Sequence, residues 1–196
     1  LGDFDYIIVG GGSSGATLAG RLTADPSVKV LLLEAGPSDR SFKIKVPLGY
    51  GSLFYDQKFN WKYETEPEPE LKGRRMYWPR GKVLGGSSAI NAMVYVRGHP
   101  NDYEEWADVA PSWNWSNVEP YFKKIESWKG EDSPVRGKSG PVGISNVEND
   151  VHPLTNKYLE AGQELGFPYN KDYNGNHMEG VAVYQTTTSN GLRVSS

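Results

Sequence analysis

A glycine-rich turn near the start of the chain constrains the fold more than any other sequence feature. It follows an apolar run at residues 6–9 and precedes a helix-like pattern, with glycine at positions 10, 12 and 15. Gly10 permits a sharp turn from strand to helix, Gly12 lets the backbone approach a pyrophosphate, and Gly15 lets the helix pack closely on the strand. The turn therefore predicts the start of a βαβ unit that binds a dinucleotide.

An acidic residue closes the strand expected after this turn. Residues 29–33 form a second apolar run, and Glu34 follows it, nineteen positions after Gly15 (34 minus 15). A carboxylate about 20 residues beyond the glycine turn can accept hydrogen bonds from an adenosine ribose. The start of the helix would direct free N–H groups at the phosphates. An ordinary glycine-rich turn is the alternative interpretation, and the register of strand, helix, strand and acid favours the nucleotide site.

The composition indicates a globular protein and argues against two kinds of partner. The 196 residues are 37% hydrophobic and carry a net charge of −3 at pH 7, with scattered Lys and Arg. This pattern predicts no nucleic-acid surface. No window approaches the ~18–20 consecutive apolar residues of a membrane span. The chain has no cysteine, which excludes disulfides, thiolate catalysis and cysteine-bound metal and leaves the cellular location open.

The regular alternation of strand and helix stops after Gly36-Pro37. The aromatic-rich segment that follows is too apolar for disorder and too irregular for a helix. Helix patterns then begin with Asn101 and Ser116 as expected caps, and the polar stretch 131–138 is the best boundary candidate. The elements expected beyond it are a strand over 141–145, a helix over 154–165 and an alternating strand over 181–188.

A second concentration of motifs lies between residues 78 and 98. Gly85 and Gly86 precede Ser87 and Ser88, and the apolar stretch after them is interrupted by one amide, Asn91. The glycines permit close backbone approach, and the serines supply small hydroxyl donors. From these residues alone, a cradle for a polar ligand and a turn before a buried helix are equally good interpretations.

Together, the two motifs closely resemble those of the glucose-methanol-choline (GMC) flavoenzyme family. The resemblance covers essentially the whole chain and is nearest to choline-dehydrogenase-like members. It implies an α/β fold with a Rossmann-type FAD-binding domain that is incomplete in this chain, and the start of an α+β substrate domain. The domains expected are 1–135 for FAD binding, including a flavin-covering segment over 38–98, and 136–196 for the beginning of the substrate-binding domain.

The resemblance also implies FAD as the cofactor and assigns its contacts. The pyrophosphate and adenosine side would meet Gly10, Gly12, Ser13, Ser14, Gly15, Glu34 and Ala35. The flavin and ribityl side would meet Val83, Gly86, Ser87, Asn91, Ala92, Met93 and Val94. Some relatives carry at the Asn91 position a histidine that bonds covalently to the flavin. Asparagine has no nucleophilic ring nitrogen, so FAD is expected to be bound non-covalently here.

The reaction that the resemblance implies is oxidation of a small-molecule alcohol. A hydride passes from the substrate carbon to flavin N5 while a base takes the hydroxyl proton. In the family this base is a histidine near the far C-terminus, paired with a histidine or an asparagine. No such pair is present, because His99, His152 and His177 lie in turns and loops. We therefore assign no catalytic residue and no metal site, and expect the C-terminal part of the same protein, in one chain or as a separate chain, to supply the pair.

Two other functions stay open at this point. A redox-neutral member, such as a hydroxynitrile lyase or a fatty-acid photodecarboxylase, could keep the same cradle with different chemistry. A non-catalytic flavin-binding fragment is the third possibility. The residues that would discriminate between these functions, and between dehydrogenase and oxidase, are expected mostly beyond Ser196.

Overall fold

The computed structural model of the protein describes residues 2–196. The chain divides into two compact units: unit 1 contains the residues up to Met93 together with Asn190–Ser196, and unit 2 contains Val94–Ser189. The expected boundary between functional domains, at residues 135 and 136, lies inside unit 2. Compactness and function are different criteria, so the assignment of FAD-binding and substrate-binding domains stays a prediction.

Unit 1 begins with the strand, helix and strand that the glycine pattern predicts. These are β1 (Tyr6–Val9), α1 (Ser13–Leu22) and β2 (Val30–Leu33). The strands are parallel, with Tyr6 opposite Val30 and Val9 opposite Leu33. Parallel neighbours need a crossover connection, and α1 provides it. Ile8 is buried, but Ile7 and Val9 are 63% and 84% exposed, so the strands present apolar side chains to solvent.

The segment after β2 contains the hydrophobic core of unit 1. It forms helices α2 (Phe42–Lys45) and α3 (Tyr50–Leu53), the antiparallel strands β3 (Tyr63–Glu64) and β4 (Tyr77–Trp78), and a 3₁₀ helix at Gly86–Ala89. The expectation of no helix was wrong for α2 and α3, each of which has only four residues, too few to show a helical period. The buried cluster consists of Ile44, Leu53, Phe59, Val83, Ala89 and Ile90.

Asn60 ties this segment together. It is 1% exposed, and its Nδ2 donates to the Phe54 carbonyl at 2.7 Å. Its Oδ1 accepts from the backbone N–H groups of Lys62 and Arg80 at 2.9 and 3.0 Å. A buried amide with satisfied donors and acceptors holds one arrangement of its neighbours. Asn60 therefore fixes the end of α3 relative to the two chain stretches that flank the β3–β4 pair.

Unit 2 combines three helices with short strands. Its elements are α4 (Pro100–Ala107), α5 (Trp115–Ile125), β5 (Glu126–Trp128), β6 (Val142–Ile144), α6 (Pro153–Glu164) and β7 (Thr188–Ser189). Strand β8 (Leu192–Arg193) follows in unit 1. Strand β5 pairs in parallel with β6. Strand β6 corresponds to the strand predicted over 141–145, and α6 to the helix predicted over 154–165. None of the helices formed by residues 2–196 has the length and hydrophobicity that a membrane crossing requires.

The strand predicted over 181–188 is wrong for most of its length. This stretch makes isolated bridges at Val181 and Thr186 and enters β7 only at Thr188. The two buried residues, Gln185 and Thr188, are polar and lie at an odd and an even position, so the alternation does not separate a buried face from an exposed one.

The caps of α4 and α5 each lie two residues earlier than predicted. His99 caps α4, because its Nδ1 accepts from the Asn101 N–H at 3.1 Å. Asn114 caps α5, because its Oδ1 accepts from the Asn117 N–H at 3.0 Å. Pro100 suits the first helical position, where no N–H is needed, and this moves the cap to the preceding residue. The predicted caps Asn101 and Ser116 therefore lie inside the first turns.

A buried ionic network organises unit 2. Glu126 is fully buried, and its carboxylate accepts from Arg97, from the Arg136 guanidinium at 3.0 and 3.1 Å, and from the Gly137 N–H at 2.6 Å. Arg136 also donates to Asp172 at 2.5 Å. One carboxylate therefore balances two buried cations that come from distant parts of the sequence.

We expect Glu126→Ala to destabilise the complete protein strongly, because it leaves two buried guanidinium groups without their shared carboxylate. Removing one member of a buried ion pair costs about 3–5 kcal/mol. Urea unfolding followed by tryptophan fluorescence measures the loss. Glu160→Ala is the matched control, since Glu160 pairs with Lys157 at the surface and such pairs contribute about 0–1 kcal/mol. Equal losses in the two variants would contradict the role of the network.

Candidate cofactor-binding site

The turn after β1 has the backbone geometry that its glycines predict. Gly10 has a φ of +100°, a left-handed conformation that favours glycine, and its N–H donates to the Leu33 carbonyl at 2.7 Å. A Cβ at Gly15 would lie 1.9 Å from the Gly10 carbonyl oxygen. Helix α1 starts after Gly12, and no side chain caps the N–H groups of its first turn. These groups and the helix dipole can bind an anion.

Glu34 connects the turns that follow β1 and β2. Its Oε2 accepts from the Gly11 N–H and its Oε1 from the Gly36 N–H, both at 2.8 Å. Each carboxylate oxygen has two lone pairs and can accept a further hydrogen bond. The ribose contact expected of Glu34 is compatible with these bonds and stays a prediction.

The two glycine motifs meet through their backbones. The Gly85 N–H donates to the Gly11 carbonyl at 2.8 Å. A Cβ on Gly86 would lie 2.7 Å from the Cα of Gly12, and Gly86 has a φ of +55°. Neither space nor conformation allows a larger residue at this position without strain. The structure therefore joins two motifs that the sequence presents separately.

A groove of about 800 Å³ lies beside the joined turns, within the ~300–1,000 Å³ of small-molecule sites. The predicted residues that line it are Gly10, Gly12, Ser13, Ser14, Gly15, Glu34, Ala35, Gly86 and Ser87. Six further lining residues were not predicted as contacts: Val9, Leu33, Trp61, Tyr63, Arg80 and Gly81.

These additional residues give the groove an aromatic wall and positive charge. The rings of Trp61 and Tyr63 stack with centroids 5.9 Å apart, and the Lys82 ammonium lies 4.7 Å from the Trp61 ring centre. Arg80 itself brings a cation to the lining. A flat ring, cations and a helix N-terminus together suit a ligand that has planar and anionic parts. No local motif marks Trp61 and Tyr63, because the long segment brings them to the groove by folding back. Arg80 and Gly81 lie at the start of the 78–98 motif region, but no contact was predicted for them.

Comparison with known proteins identifies the family. The sequence model of the GMC oxidoreductases matches residues 4–196. The chain belongs to the GMC oxidoreductase family. It is 46% identical to an alcohol dehydrogenase (acceptor) of Pseudomonas putida, over 98% of this chain and 35% of the relative. It is 44% identical to the mitochondrial choline dehydrogenase of Homo sapiens, over 99% of this chain and 34% of the relative.

Solved structures agree with this GMC assignment. Pyridoxine 4-oxidase from Mesorbium loti superposes with a TM-score of 0.92 at 37% identity, over 98% of this chain and 38% of that chain. The predicted resemblance is confirmed, and so is the Rossmann-type α/β fold class of an FAD-binding domain. The chain spans about a third of the length of the curated relatives that it matches.

Five contacts predicted from the GMC resemblance lie outside the groove lining. Val83 is fully buried in the core cluster of unit 1. Asn91 and Ala92 are exposed, whereas Met93 is buried and has a φ of +63°. Val94, the first residue of unit 2, is 41% exposed. Their contacts with a flavin stay predictions.

Arg193 is a buried charged residue that the sequence analysis did not recognise as such. It is 3% exposed, and its guanidinium donates to the Ile44 carbonyl at 2.9 Å, the Ser88 carbonyl at 3.0 Å, and both oxygens of Asn91 at 2.8 Å. Within residues 2–196, none of these partners is a carboxylate. Burial lowers the pKa of Arg193 to about 10. Nothing in the local sequence distinguishes this arginine from an exposed one.

The three histidines of this GMC chain cap helices or lie in a loop. His99 caps α4, and His152 caps α6, because its Nδ1 accepts from the Leu154 N–H at 3.1 Å. Both histidines are followed by a proline at the first helical position. His177 lies in a loop, where its carbonyl accepts from the Asn170 amide at 2.8 Å. None of the three is among the groove-lining residues.

We expect Gly86→Ala to lower the FAD affinity of the complete protein by at least about tenfold, equivalent to ~1.4 kcal/mol. The added Cβ would lie 2.7 Å from the Gly12 Cα and force the two turns apart. Titration of the flavin-free protein with FAD, followed by flavin fluorescence, measures the change.

Gly20→Ala is the matched control for this substitution. Gly20 lies on α1, where an added Cβ meets no atom within 4 Å, and alanine there is expected to stabilise the helix by about 0.5–1 kcal/mol. FAD affinity should stay at the wild-type value. Unchanged affinity in Gly86→Ala would show that the turns can separate without harm to the site.

Proposed function

We propose that the complete protein is an FAD-dependent alcohol oxidoreductase, and that this chain supplies most of the FAD cradle. The observation that carries the proposal is the backbone junction of Gly12 with Gly86, beside a groove that includes the start of α1. Family membership and relatives named alcohol dehydrogenase and choline dehydrogenase support oxidation of an alcohol. A solved GMC relative is described as an FAD-dependent oxidoreductase from Chaetomium thermophilum.

The residues of the groove fit the nucleotide part of FAD. The uncapped N–H groups of α1 suit the pyrophosphate, and the hydroxyls of Ser13 and Ser14 lie at the same helix end. Glu34 has free lone pairs for ribose hydroxyls, and its charge disfavours a 2′-phosphate. Arg80 adds a positive charge to the lining. These features favour an unphosphorylated adenine dinucleotide.

The flavin side is assigned to residues beyond the groove lining. We propose that Asn91, Ala92, Met93 and Val94 lie along the ribityl chain and flavin edge, and that Val83 supports them from the core. Bound FAD would supply the acceptor for the hydride of the alcohol carbon. Because Asn91 carries an amide in place of an imidazole, we propose that the cofactor is held without a covalent bond to this residue.

We propose that the base for the alcohol proton lies in polypeptide outside this chain. A base must come within about 2.6–3.2 Å of the proton that it takes, and two of the three histidines here already serve as helix caps. The exposed apolar side chains of Ile7 and Val9 also support additional polypeptide, since parallel sheets are normally covered on both faces. In this arrangement, residues 1–135 bind FAD and residues 136–196 begin the substrate-binding domain.

Anaerobic mixing of the complete purified protein with a panel of alcohols tests the proposal. We expect loss of the oxidised-flavin absorbance with at least one alcohol, because hydride transfer reduces the flavin whatever the final acceptor. Acid precipitation should release the yellow chromophore as free FAD. Bound FAD that no alcohol bleaches would favour a redox-neutral or non-catalytic member, and a protein without FAD would contradict the proposed function.

We expect His99→Ala and His152→Ala to keep the anaerobic bleaching rate while they lower stability. Each loses a helix cap worth about 0.5–2 kcal/mol, which thermal unfolding detects. His177→Ala is the control, since His177 caps no helix, and neither rate nor stability should change. A rate loss of ~10²-fold or more with FAD content intact, the size expected for a general base, would place the catalytic base in this chain.

A further inference from the structure

Arg193 carries a buried positive charge whose hydrogen-bond partners, within the described residues 2–196, are all neutral oxygens. A buried charge is costly unless it is paired or fully hydrogen-bonded. The Ile44 carbonyl belongs to α2 and the Ser88 carbonyl to the 3₁₀ helix Gly86–Ala89. These two contacts join strand β8 to α2 and to the 3₁₀ helix. They explain the anchoring of Arg193, but they leave its two bonds to Asn91 unexplained.

The bonds to Asn91 determine which way its side-chain amide points. Oδ1 of Asn91 accepts from Arg193 Nη1 at 2.8 Å and from the Met93 N–H at 3.0 Å. Guanidinium and backbone N–H groups can only donate, so the atom between them must be the amide oxygen. The orientation of the amide is therefore dictated by chemistry: oxygen toward Arg193 and nitrogen away from it.

The amide nitrogen of Asn91 is left as a donor without a partner. Within the described residues 2–196, Nδ2 makes no hydrogen bond, and the side chain is exposed. Asn91 is also close to the groove along the chain, because its N–H donates to the carbonyl of the groove-lining Ser87 at 2.9 Å. Asn91 Nδ2 is thus an oriented donor one helical turn from the groove. It is suited to donate to an acceptor atom of a ligand that extends beyond the groove.

We propose that Arg193 is a positioning residue that holds the Asn91 amide with its NH₂ group outward, to donate a hydrogen bond to an acceptor atom on the flavin part of the cofactor. This proposal rests on the proposed function, since it requires bound FAD. Arg193 itself acts through Asn91 and makes no contact with the cofactor.

An oriented donor at the flavin edge has a predictable effect on the redox equilibrium. Reduction adds electron density to the ring, and a fixed N–H dipole stabilises that charge more strongly than it stabilises the oxidised ring. Asn91 would therefore raise the reduction potential of the flavin. Asn91→Asp keeps an oxygen for Arg193 but replaces the outward donor by an acceptor of negative charge, so its effect should have the opposite sign.

The test is the two-electron reduction potential of bound FAD in the complete protein, measured against reference dyes. We expect Asn91→Asp to change the affinity ratio of reduced to oxidised flavin by at least about tenfold, which lowers the potential by ~30 mV. Asn91→Ala should lower it by less. Asn114→Asp controls for the added charge, because aspartate caps a helix as well as asparagine does, and it should leave the potential unchanged.

A double-mutant cycle separates positioning from anchoring. Arg193→Met should lower the potential in the wild-type background and add no shift in the Asn91→Ala background, because its effect on the flavin passes through Asn91. Stability should fall in both backgrounds, since the bonds to Ile44 and Ser88 are lost in either case. If Arg193→Met does not accumulate, Arg193→Lys gives the same comparison, because an ammonium lacks the planar fork of guanidinium.

The outcomes distinguish this proposal from the proposed function. Wild-type protein without FAD would contradict the proposed function. FAD-replete Asn91→Asp with an unchanged potential would overturn the positioning proposal alone. Equal shifts from the Arg193 substitution in both backgrounds would show that Arg193 acts on the flavin or on the fold directly, and would also overturn it.

Discussion

The rest of unit 1 depends on the backbone contact between its two glycine turns. A Cβ on Gly86 would lie 2.7 Å from the Gly12 Cα, and a Cβ on Gly36 would lie 1.9 Å from the Lys82 carbonyl oxygen. The two turns lie far apart in the sequence, so bringing them together has an entropic cost that buried contacts must offset. The core around Ile44 and Leu53 supplies those contacts. The groove therefore exists because the irregular segment has a core of its own.

The buried arginines of the two units have different kinds of hydrogen-bond partner. In unit 2, Glu126 pairs with two guanidinium groups, so its removal leaves Arg97 without a carboxylate and Arg136 with Asp172 alone. Burial, together with the charge of Glu126, raises the pKa of Tyr95 in the same unit to about 12. In unit 1, the hydrogen-bond partners of Arg193 among residues 2–196 are carbonyl and amide oxygens. Its charge is therefore not cancelled by a neighbouring carboxylate.

The sequence was sufficient for features that depend on local geometry. The glycines at positions 10 and 15 and the acid at 34 predicted the βαβ unit, because each requirement falls within a few residues of the turn. Trp61 and Arg80 could not be predicted as groove residues, since their position depends on how a long segment folds back. The cap at His99 was missed because proline moved the helix start. Arg193 was missed because burial of a charge depends on partners far away in sequence.

In the proposed function, different parts of this chain would bind the cofactor and adjust its reduction potential. The uncapped start of α1 and the joined turns present mainly backbone groups, whose geometry is set by glycines and changes little with nearby side chains. Two side chains, Glu34 and Asn91, present oriented hydrogen-bonding groups. Each is held in place by N–H groups of the chain itself. Glu34 is oriented by two backbone N–H groups and Asn91 by Arg193 and a backbone N–H. Substitutions at either side chain therefore act through one oriented group, whereas substitutions at the glycines act on the groove as a whole.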